Sequence, residues 1–272
     1  MKNLFKAISI PVLLAASSLS SASGIAIDLF SGGTPEAPIA QFAADYTDGG
    51  AAVDALEAGP YPDIVGGYRD LSVNCLTGCI DNGGGGPGSL GTEAVVGYSA
   101  LLGRNVFAMS NDAQVTGEAT LIWDGQGSTG LGGFDLSGFS AFEVDVFLSD
   151  SGDDAAWKFQ LIAADGSGRN SVVQLVAATV PLVVGSSQLF YIDISLFNQC
   201  GLVNVICSGG DADIVDLSDL ELLGVVFNFE GAVAVDLGLH GIRAVPEPAM
   251  VSMMGLGLLL MGFFARRKSL EA

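Results

Sequence analysis

Positive charge is scarce in this sequence. It has 10 lysine and arginine residues against 30 aspartates and glutamates, and a single histidine, His240. A chain with a net charge of −20 repels phosphate backbones and anionic lipid surfaces, so we expect no nucleic-acid partner. The lack of lysine also argues against long surface helices stabilised by Glu–Lys pairs. A Ser–His–Asp site would need His240, and no Gly-x-Ser-x-Gly motif accompanies it.

The N-terminus has the three parts of a secretory signal peptide. Residues 1–6 are basic, residues 7–16 are apolar, and small residues follow as far as Gly24. Ser20 and Ala22 fit the small-x-small cleavage pattern, so we predict a signal peptide at residues 1–22. Cleavage after Gly24 is the alternative. The sequence therefore predicts an exported chain.

An uncharged apolar run of 17 residues, 249–265, lies near the C-terminus, and Arg266, Arg267 and Lys268 follow it. At about 1.5 Å per residue, such a run just reaches the length needed to cross a membrane. The basic end would remain in the cytoplasm, which places the rest of the chain on the far side. We predict a single transmembrane helix here. A buried core helix with a basic tail is the alternative, but it would normally show a polar face.

Pro246-Glu247-Pro248 stands directly before that run, and its two prolines favour an extended segment that an enzyme can reach. Pro-Glu-Pro, a short hydrophobic helix and Arg266-Arg267, in this order over residues 245–272, resemble the PEP-CTERM sorting signal. The resemblance implies cleavage by an exosortase, a membrane cysteine protease-transpeptidase. It also implies delivery to the cell surface or extracellular matrix of a Gram-negative bacterium that makes exopolysaccharide. The membrane would then be contacted only through the tail, before processing.

Four cysteines lie in the body between these two signals, at positions 75, 79, 200 and 207. An exported chain meets an oxidising compartment, and four cysteines allow three pairings. We predict the local pairs Cys75–Cys79 and Cys200–Cys207. Zinc binding is the alternative, but only one histidine is present to support it.

Residues 23–244 are predicted to form one all-β domain, an antiparallel β-sandwich. Short alternating stretches are separated by Gly-rich turns, and the clearest are 140–148 and 221–229. An Asp-Leu-Ser turn precedes each, at Asp135 and at Asp216, where the Asp and Ser side chains can cap backbone N–H groups. Residues 31–66 are expected to be a long loop with at most a weak strand or short helix. This pattern resembles the jelly-roll sandwiches of carbohydrate-binding modules.

Between the two signals, 28 acidic residues stand against five basic ones, a net charge of −23. Acidic groups of this density favour solubility or a bound divalent cation. We predict a possible structural calcium between Asp28 and Asp236, because both interrupt apolar runs on the first and last strands. Pairing with Arg243 is the competing explanation. The acidic loops 150–154 and 211–219 are further calcium candidates.

Exposed aromatic side chains are the usual surface for sugar rings. Trp123 and Tyr68 are the main stacking candidates, whereas Trp157 is expected in the core. The further candidates are Tyr61 and Tyr98. No carboxylate pair stands out as catalytic, so we predict a non-enzymatic structural or adhesive protein that binds extracellular polysaccharide. A secreted polysaccharide hydrolase on the same scaffold is the alternative.

Overall fold

The computed structural model describes residues 24–151, 157–176, 186–208 and 214–246. Within these ranges no helix is both long and apolar enough to cross a membrane. The predicted signal peptide and the predicted transmembrane helix lie outside the described residues, so both stay predictions.

The described chain forms two antiparallel sheets, which confirms the predicted all-β sandwich. Sheet A contains β1 (Ile25–Asp28), β2 (Ile39–Asp45), β5 (Thr92–Ser99), β6 (Arg104–Asn111), β8 (Ala141–Ser151), β11 (Gln188–Asp193) and β14 (Val235–Val245). Sheet B contains β3 (Val53–Asp54), β4 (Asp70–Thr77), β7 (Thr116–Trp123), β9 (Lys158–Asp165), β10 (Asn170–Val176), β12 (Val205–Ser208) and β13 (Leu220–Phe229). Two short 3-10 helices span Val65–Gly67 and Ile194–Asn198.

In sheet A the strand order is β11-β8-β14-β6-β5-β2, and β1 also pairs with β14. In sheet B the order is β12-β10-β9-β13-β7-β4-β3. The last strand, β14, is therefore an interior strand: β8 pairs along its length, while β6 and β1 pair with successive parts of its other side.

The core lies between the two sheets and is built from the inward-facing half of each alternating strand. Phe107 of sheet A packs against Phe227 of sheet B, with 4.9 Å between the ring centroids. Leu237 and Leu239 of β14 are buried beside them. Trp157 is also buried, as predicted, and its indole N–H donates to the Ser149 hydroxyl at 2.6 Å.

The segment predicted as a loop, residues 31–66, contains β2. Its alternation is hidden because two of its inward positions are polar. Gln41 accepts a hydrogen bond from Nε of Arg69 at 2.6 Å, and Asp45 accepts one from the Cys75 N–H at 2.8 Å. Polar groups with partners of this kind can be buried at little cost, so strand formation does not require an apolar pattern here.

Both Asp-Leu-Ser turns form as predicted, and they lie side by side. The Ser137 N–H donates to Asp135 at 2.7 Å, and the Ser218 N–H donates to Asp216 at 3.0 Å. The two turns are joined because the Leu136 N–H donates to the Leu217 carbonyl at 2.7 Å. Hydrogen bonds from the following serines lower the pKa of both aspartates.

Both predicted disulfides, Cys75–Cys79 and Cys200–Cys207, are confirmed. The first lies at the end of β4, and the second joins β12 to the loop that follows the second 3-10 helix. Closing such short loops stabilises a protein by only about 2–2.5 kcal/mol each in the chain-entropy model. Their main effect is therefore local.

Candidate functional site

Asp28 is fully buried and has a complete set of partners. Both of its oxygens accept from Nη1 of Arg69 at 2.8 Å, and Arg69 is itself fully buried. Nε1 of Trp123 donates at 2.9 Å and the Phe30 N–H at 2.7 Å. Burial raises the pKa of Asp28, and the Arg69 guanidinium opposes that rise. The group is a structural ion pair in the core.

The predicted calcium pair, Asp28 with Asp236, is wrong. Asp28 faces Ile242 across β1 and β14, and Asp236 lies six residues further along β14, about 20 Å away at the rise of a strand. The cation that compensates Asp28 is Arg69 rather than Arg243, which lies 3.7 Å from Glu143.

In the described part of the chain, no three His, Cys, Asp or Glu residues are placed to hold a metal ion. The acidic loops 150–154 and 211–219 fall partly outside that part. Calcium binding there stays a prediction.

Trp123 is also wrong as a sugar-stacking residue. Its side chain is only 2% exposed and points into the core, where it donates to Asp28. Tyr68 is half-buried against Gly59, where an added Cβ would lie 2.6 Å from its ring. The exposed aromatic side chains of the described sheets are instead Phe42, at 49%, and Tyr191, at 59%. Both lie on the outer face of sheet A.

A groove of about 230 Å³ crosses this outer face. Its floor is a row of cross-strand neighbours, which we call the apolar row: Phe42, Val95, Ala108 and Gly238, on β2, β5, β6 and β14. Phe147 of β8 covers Gly238 so closely that a Cβ there would lie 2.2 Å from the ring. Glycine at position 238 is thus needed for Phe147 to form one wall, opposite Phe42.

A second row runs beside the first, one pleat further along the same strands, and we call it the acidic row. Glu93, Ser110, Asp236 and Asp150 are successive cross-strand neighbours on β5, β6, β14 and β8. The Ser110 hydroxyl donates to Asp236 at 2.6 Å. The Tyr46 hydroxyl donates to Glu93, and this bond raises the pKa of Tyr46 to about 12. Among the described residues, no cation forms an ion pair with the acidic row.

On the other half of the outer face, acidic side chains lie close to basic ones. His240 is 7% exposed and stacks on Phe147 at 4.6 Å, and its Nδ1 lies 3.6 Å from Asp145. Burial, together with the nearby Arg104, lowers the pKa of His240, and Asp145 acts in the opposite direction. On the neighbouring positions, Glu143 contacts Arg243 and accepts from the Tyr191 hydroxyl at 3.0 Å.

A larger, open cleft of about 920 Å³ lies at one end of the sandwich. The two Asp-Leu-Ser turns and Val245, the last residue of β14, contribute to its lining. The Val245 carbonyl accepts from the Ser140 N–H at 3.0 Å. This cleft therefore surrounds the point at which the chain leaves the sandwich toward Pro246.

The groove combines a flat apolar floor, aromatic walls and a line of hydrogen-bond acceptors. Such a combination suits sugar rings, because their C–H faces pack on apolar surfaces while their hydroxyl or amino groups donate to carboxylates. Sequence reasoning did not find this site. Within each of β5, β6 and β14, the outward-facing residues show no pattern that indicates a site. Only the strand register aligns them into rows.

The comparisons with known proteins identify one motif in this chain. Residues 244–268 match the PEP-CTERM protein-sorting motif, which confirms the resemblance seen in the sequence. No curated protein matches the chain.

Three solved structures resemble this chain at low sequence identity. The family 11 carbohydrate-binding module CtCBM11 is 13% identical, with a TM-score of 0.41 and coverage of 85% of this chain and 99% of that one. The family 11 module of a cellulosomal cellulase of Clostridium thermocellum is 12% identical, with a TM-score of 0.38 and coverage of 82% and 95%. An exo-β-agarase is 15% identical, with a TM-score of 0.38 and coverage of 65% of this chain; this chain spans only 24% of its length.

Proposed function

For an exported chain that carries a PEP-CTERM sorting motif and an antiparallel β-sandwich, we propose a non-enzymatic role as a surface or matrix component that binds extracellular polysaccharide. The observation that carries the proposal is the groove on the outer face of sheet A. There, Phe42 and Phe147 flank an apolar floor, and the acidic row provides acceptors along one side.

The groove is open at the surface and crosses several strands, which suits a chain-like ligand better than a small molecule. Its floor needs no rearrangement to receive a sugar ring, because the strand register already fixes the apolar row. Pre-organised surfaces lose little conformational entropy on binding. A binding role therefore requires nothing beyond the geometry described.

Removal of the Phe42 ring tests this role directly. We expect Phe42→Ala, in the protein released by the producing cells, to weaken binding to their exopolysaccharide by up to about tenfold, since an aromatic stacking contact contributes about 0.5–1.5 kcal/mol beyond its buried area. Tyr191→Ala is the control, because it removes an exposed aromatic ring from the same face of sheet A but outside the groove. Unchanged binding in Phe42→Ala would overturn the proposed site. Release of new reducing ends from the polysaccharide would favour the hydrolase alternative instead.

We also propose that an exosortase cuts the tail close to Pro246-Glu247-Pro248. The motif match at residues 244–268 supports this step. Val245 is the last residue of β14, and Pro246, the first residue of the Pro-Glu-Pro sequence, follows it directly. Mass spectrometry of protein released from the cells should show a C-terminus near residue 248. Released protein that retains Arg266–Lys268 would contradict the proposal.

A further inference from the structure

We propose that the groove selects a polysaccharide with free amino groups, such as a chain containing unacetylated glucosamine, over neutral and anionic polysaccharides. The inference rests on the proposed function and specifies its ligand class. It comes from the acidic row, where three carboxylates stand on a surface with no described cation to compensate them.

Repulsion between the carboxylates of the acidic row destabilises the protein when no ligand is bound. Glu93 and Asp236 both neighbour Ser110, and Asp150 is the direct cross-strand neighbour of Asp236. Neighbouring strands are about 4.8 Å apart, and like charges at this separation destabilise a sheet. A ligand that brings positive charge removes the repulsion, and so it gains binding free energy that a neutral ligand cannot.

The basic residues of the described body are all engaged or distant. Arg69 pairs with Asp28, Lys158 with Glu230, and Arg169 with Asp165. Arg243 lies beside Glu143. Arg104 lies at the opposite end of β6 from Ser110, about 20 Å away at the rise of a strand. No basic residue of the described body is therefore placed to neutralise the row.

A polymer fits the row better than a single metal ion does. Calcium needs six to eight oxygens converging at 2.3–2.6 Å, and the described residues form no metal-binding group. The carboxylates instead follow a straight line across four strands, at intervals of about 4.8 Å and about 9.6 Å. Charges spaced along a line match amino groups that repeat along a chain.

The apolar row explains why the ligand is a sugar polymer rather than a basic peptide or polyamine. It lies one pleat from the acidic row on the same strands, between Phe42 and Phe147. A pyranose ring placed on this floor directs its edge substituents sideways, toward Asp236 and Glu93. An ammonium group there makes a charge-assisted hydrogen bond, which is roughly twice as strong as a neutral one.

The experiment compares soluble oligomers of one length that differ in charge. The probes are partially deacetylated chitin oligomers, fully acetylated chitin oligomers, neutral glucan oligomers and alginate oligomers, each titrated into the protein released by the producing cells. We expect the deacetylated oligomers to bind at least about tenfold more tightly than the acetylated ones, and we expect this preference to shrink at high salt.

Variants test whether the acidic row causes the preference. Asp236→Asn keeps an acceptor for Ser110 but removes the charge, and it should lower affinity for the deacetylated oligomers about fivefold, as should Glu93→Gln. Glu118→Gln is the matched control, because it removes one charge from the outer face of sheet B. Each variant is first checked for a melting temperature no lower than that of the wild type, so that unfolding cannot imitate the effect.

Two failures are distinguishable. If neutral and amino-bearing oligomers bind equally well and Phe42→Ala weakens both, the charge preference is wrong and the proposed function stands. If no oligomer binds, and the native exopolysaccharide does not bind either, the proposed function itself is wrong. Deacetylated binding that is insensitive to Asp236→Asn and Glu93→Gln would also overturn the role of the acidic row.

Discussion

Asp28 and Asp236 lie on the first and last strands of the same sheet, yet their surroundings are opposite. Asp28 is fully buried and accepts hydrogen bonds from Arg69, from Trp123 and from a backbone N–H. Asp236 lies at the surface between other carboxylates, with only Ser110 as a hydrogen-bond partner among the described side chains. Burial makes the charge of Asp28 expensive, and Arg69 compensates it. Water can solvate the charge of Asp236, and no described cation pairs with it.

The buried carboxylate contributes to stability, whereas the exposed one is free to contribute to function. A buried carboxylate without a partner destabilises the folded protein, so the chain itself must supply its partners. A surface carboxylate can remain without a cation, and it is then available to a ligand. Carboxylates that share one sheet can thus be sorted by whether a basic residue of the chain reaches them.

The largest effect is expected from removal of the buried cation. Arg69→Met leaves Asp28 charged and unpaired in the core, which should cost about 3–5 kcal/mol. For a domain of this size the melting temperature should fall by roughly 6–20 °C. Calorimetry measures the change. The double variant Asp28→Leu/Arg69→Met should recover most of the loss, and a double variant as unstable as the single one would contradict the ion-pair explanation.

A medium effect is expected at Asp165, a buried carboxylate held mainly by backbone groups. Burial opposes its ionisation, but hydrogen bonds from the N–H groups of Asp216, Arg169 and Ser167 outweigh burial and lower the pKa of Asp165. Asp165→Asn should cost about 1–3 kcal/mol at pH 7. Because the folded pKa lies below the unfolded value, this contribution is present above about pH 4 and is lost as the pH falls further.

Melting curves from pH 7 to pH 2 test this prediction. Wild-type and Asp165→Asn proteins should differ most near neutral pH and converge in acid. A constant difference at every pH would show that the charge of Asp165 is not the cause.

A smaller and opposite effect is expected at Asp70. Burial, together with the charges of Asp124 and Glu57, raises the pKa of Asp70 to about 6. Since the folded pKa exceeds the unfolded value, stability falls as the pH rises between about 4 and 6. Asp70→Asn should therefore raise the melting temperature at pH 7, by about 2–4 °C at most once solvent screening is considered.

The same comparison at pH 4 should show no difference, because Asp70 is protonated in the folded state there. Asp48→Asn, which removes an exposed acid elsewhere, is the control for a general change in net charge. A rise in melting temperature of the same size in both variants would attribute the effect to net charge.

The smallest effect is expected in the acidic row. Glu93→Gln/Asp236→Asn relieves repulsion between exposed groups, so it should stabilise the protein by about 0.2–1 kcal/mol at low salt and by less at high salt. Chemical denaturation in low and high salt measures this. Destabilisation would show that the row contributes to folding, which would remove the contrast with Asp28.

Local patterns predicted the strands and turns well. β8, β13 and the two Asp-Leu-Ser turns were found because their signals lie within a few residues of one another, as do the paired cysteines. β2 was expected only as a weak strand somewhere in residues 31–66, because Gln41 and Asp45 find their partners in β4 and the residue before it.

Contacts between residues that are far apart in the chain could not be predicted from the sequence. Trp123 looked exposed because a turn follows it, yet it is buried because Asp28, 95 residues away, accepts its N–H. The groove was missed for the same reason: its two rows exist only through the register of β2, β5, β6, β14 and β8.

The position of β14 affects how the body resists a pulling force. It begins at the acidic row and ends at Val245, where the sorting motif continues the chain, and neighbouring strands hold it on both sides. Tension between a polymer held in the groove and an attachment at the C-terminus would run along this strand. Its ladder hydrogen bonds lie perpendicular to the strand, so such a pull shears many of them at once instead of unzipping them one by one. The described body would therefore resist a pull between the groove and Val245 most strongly along this strand.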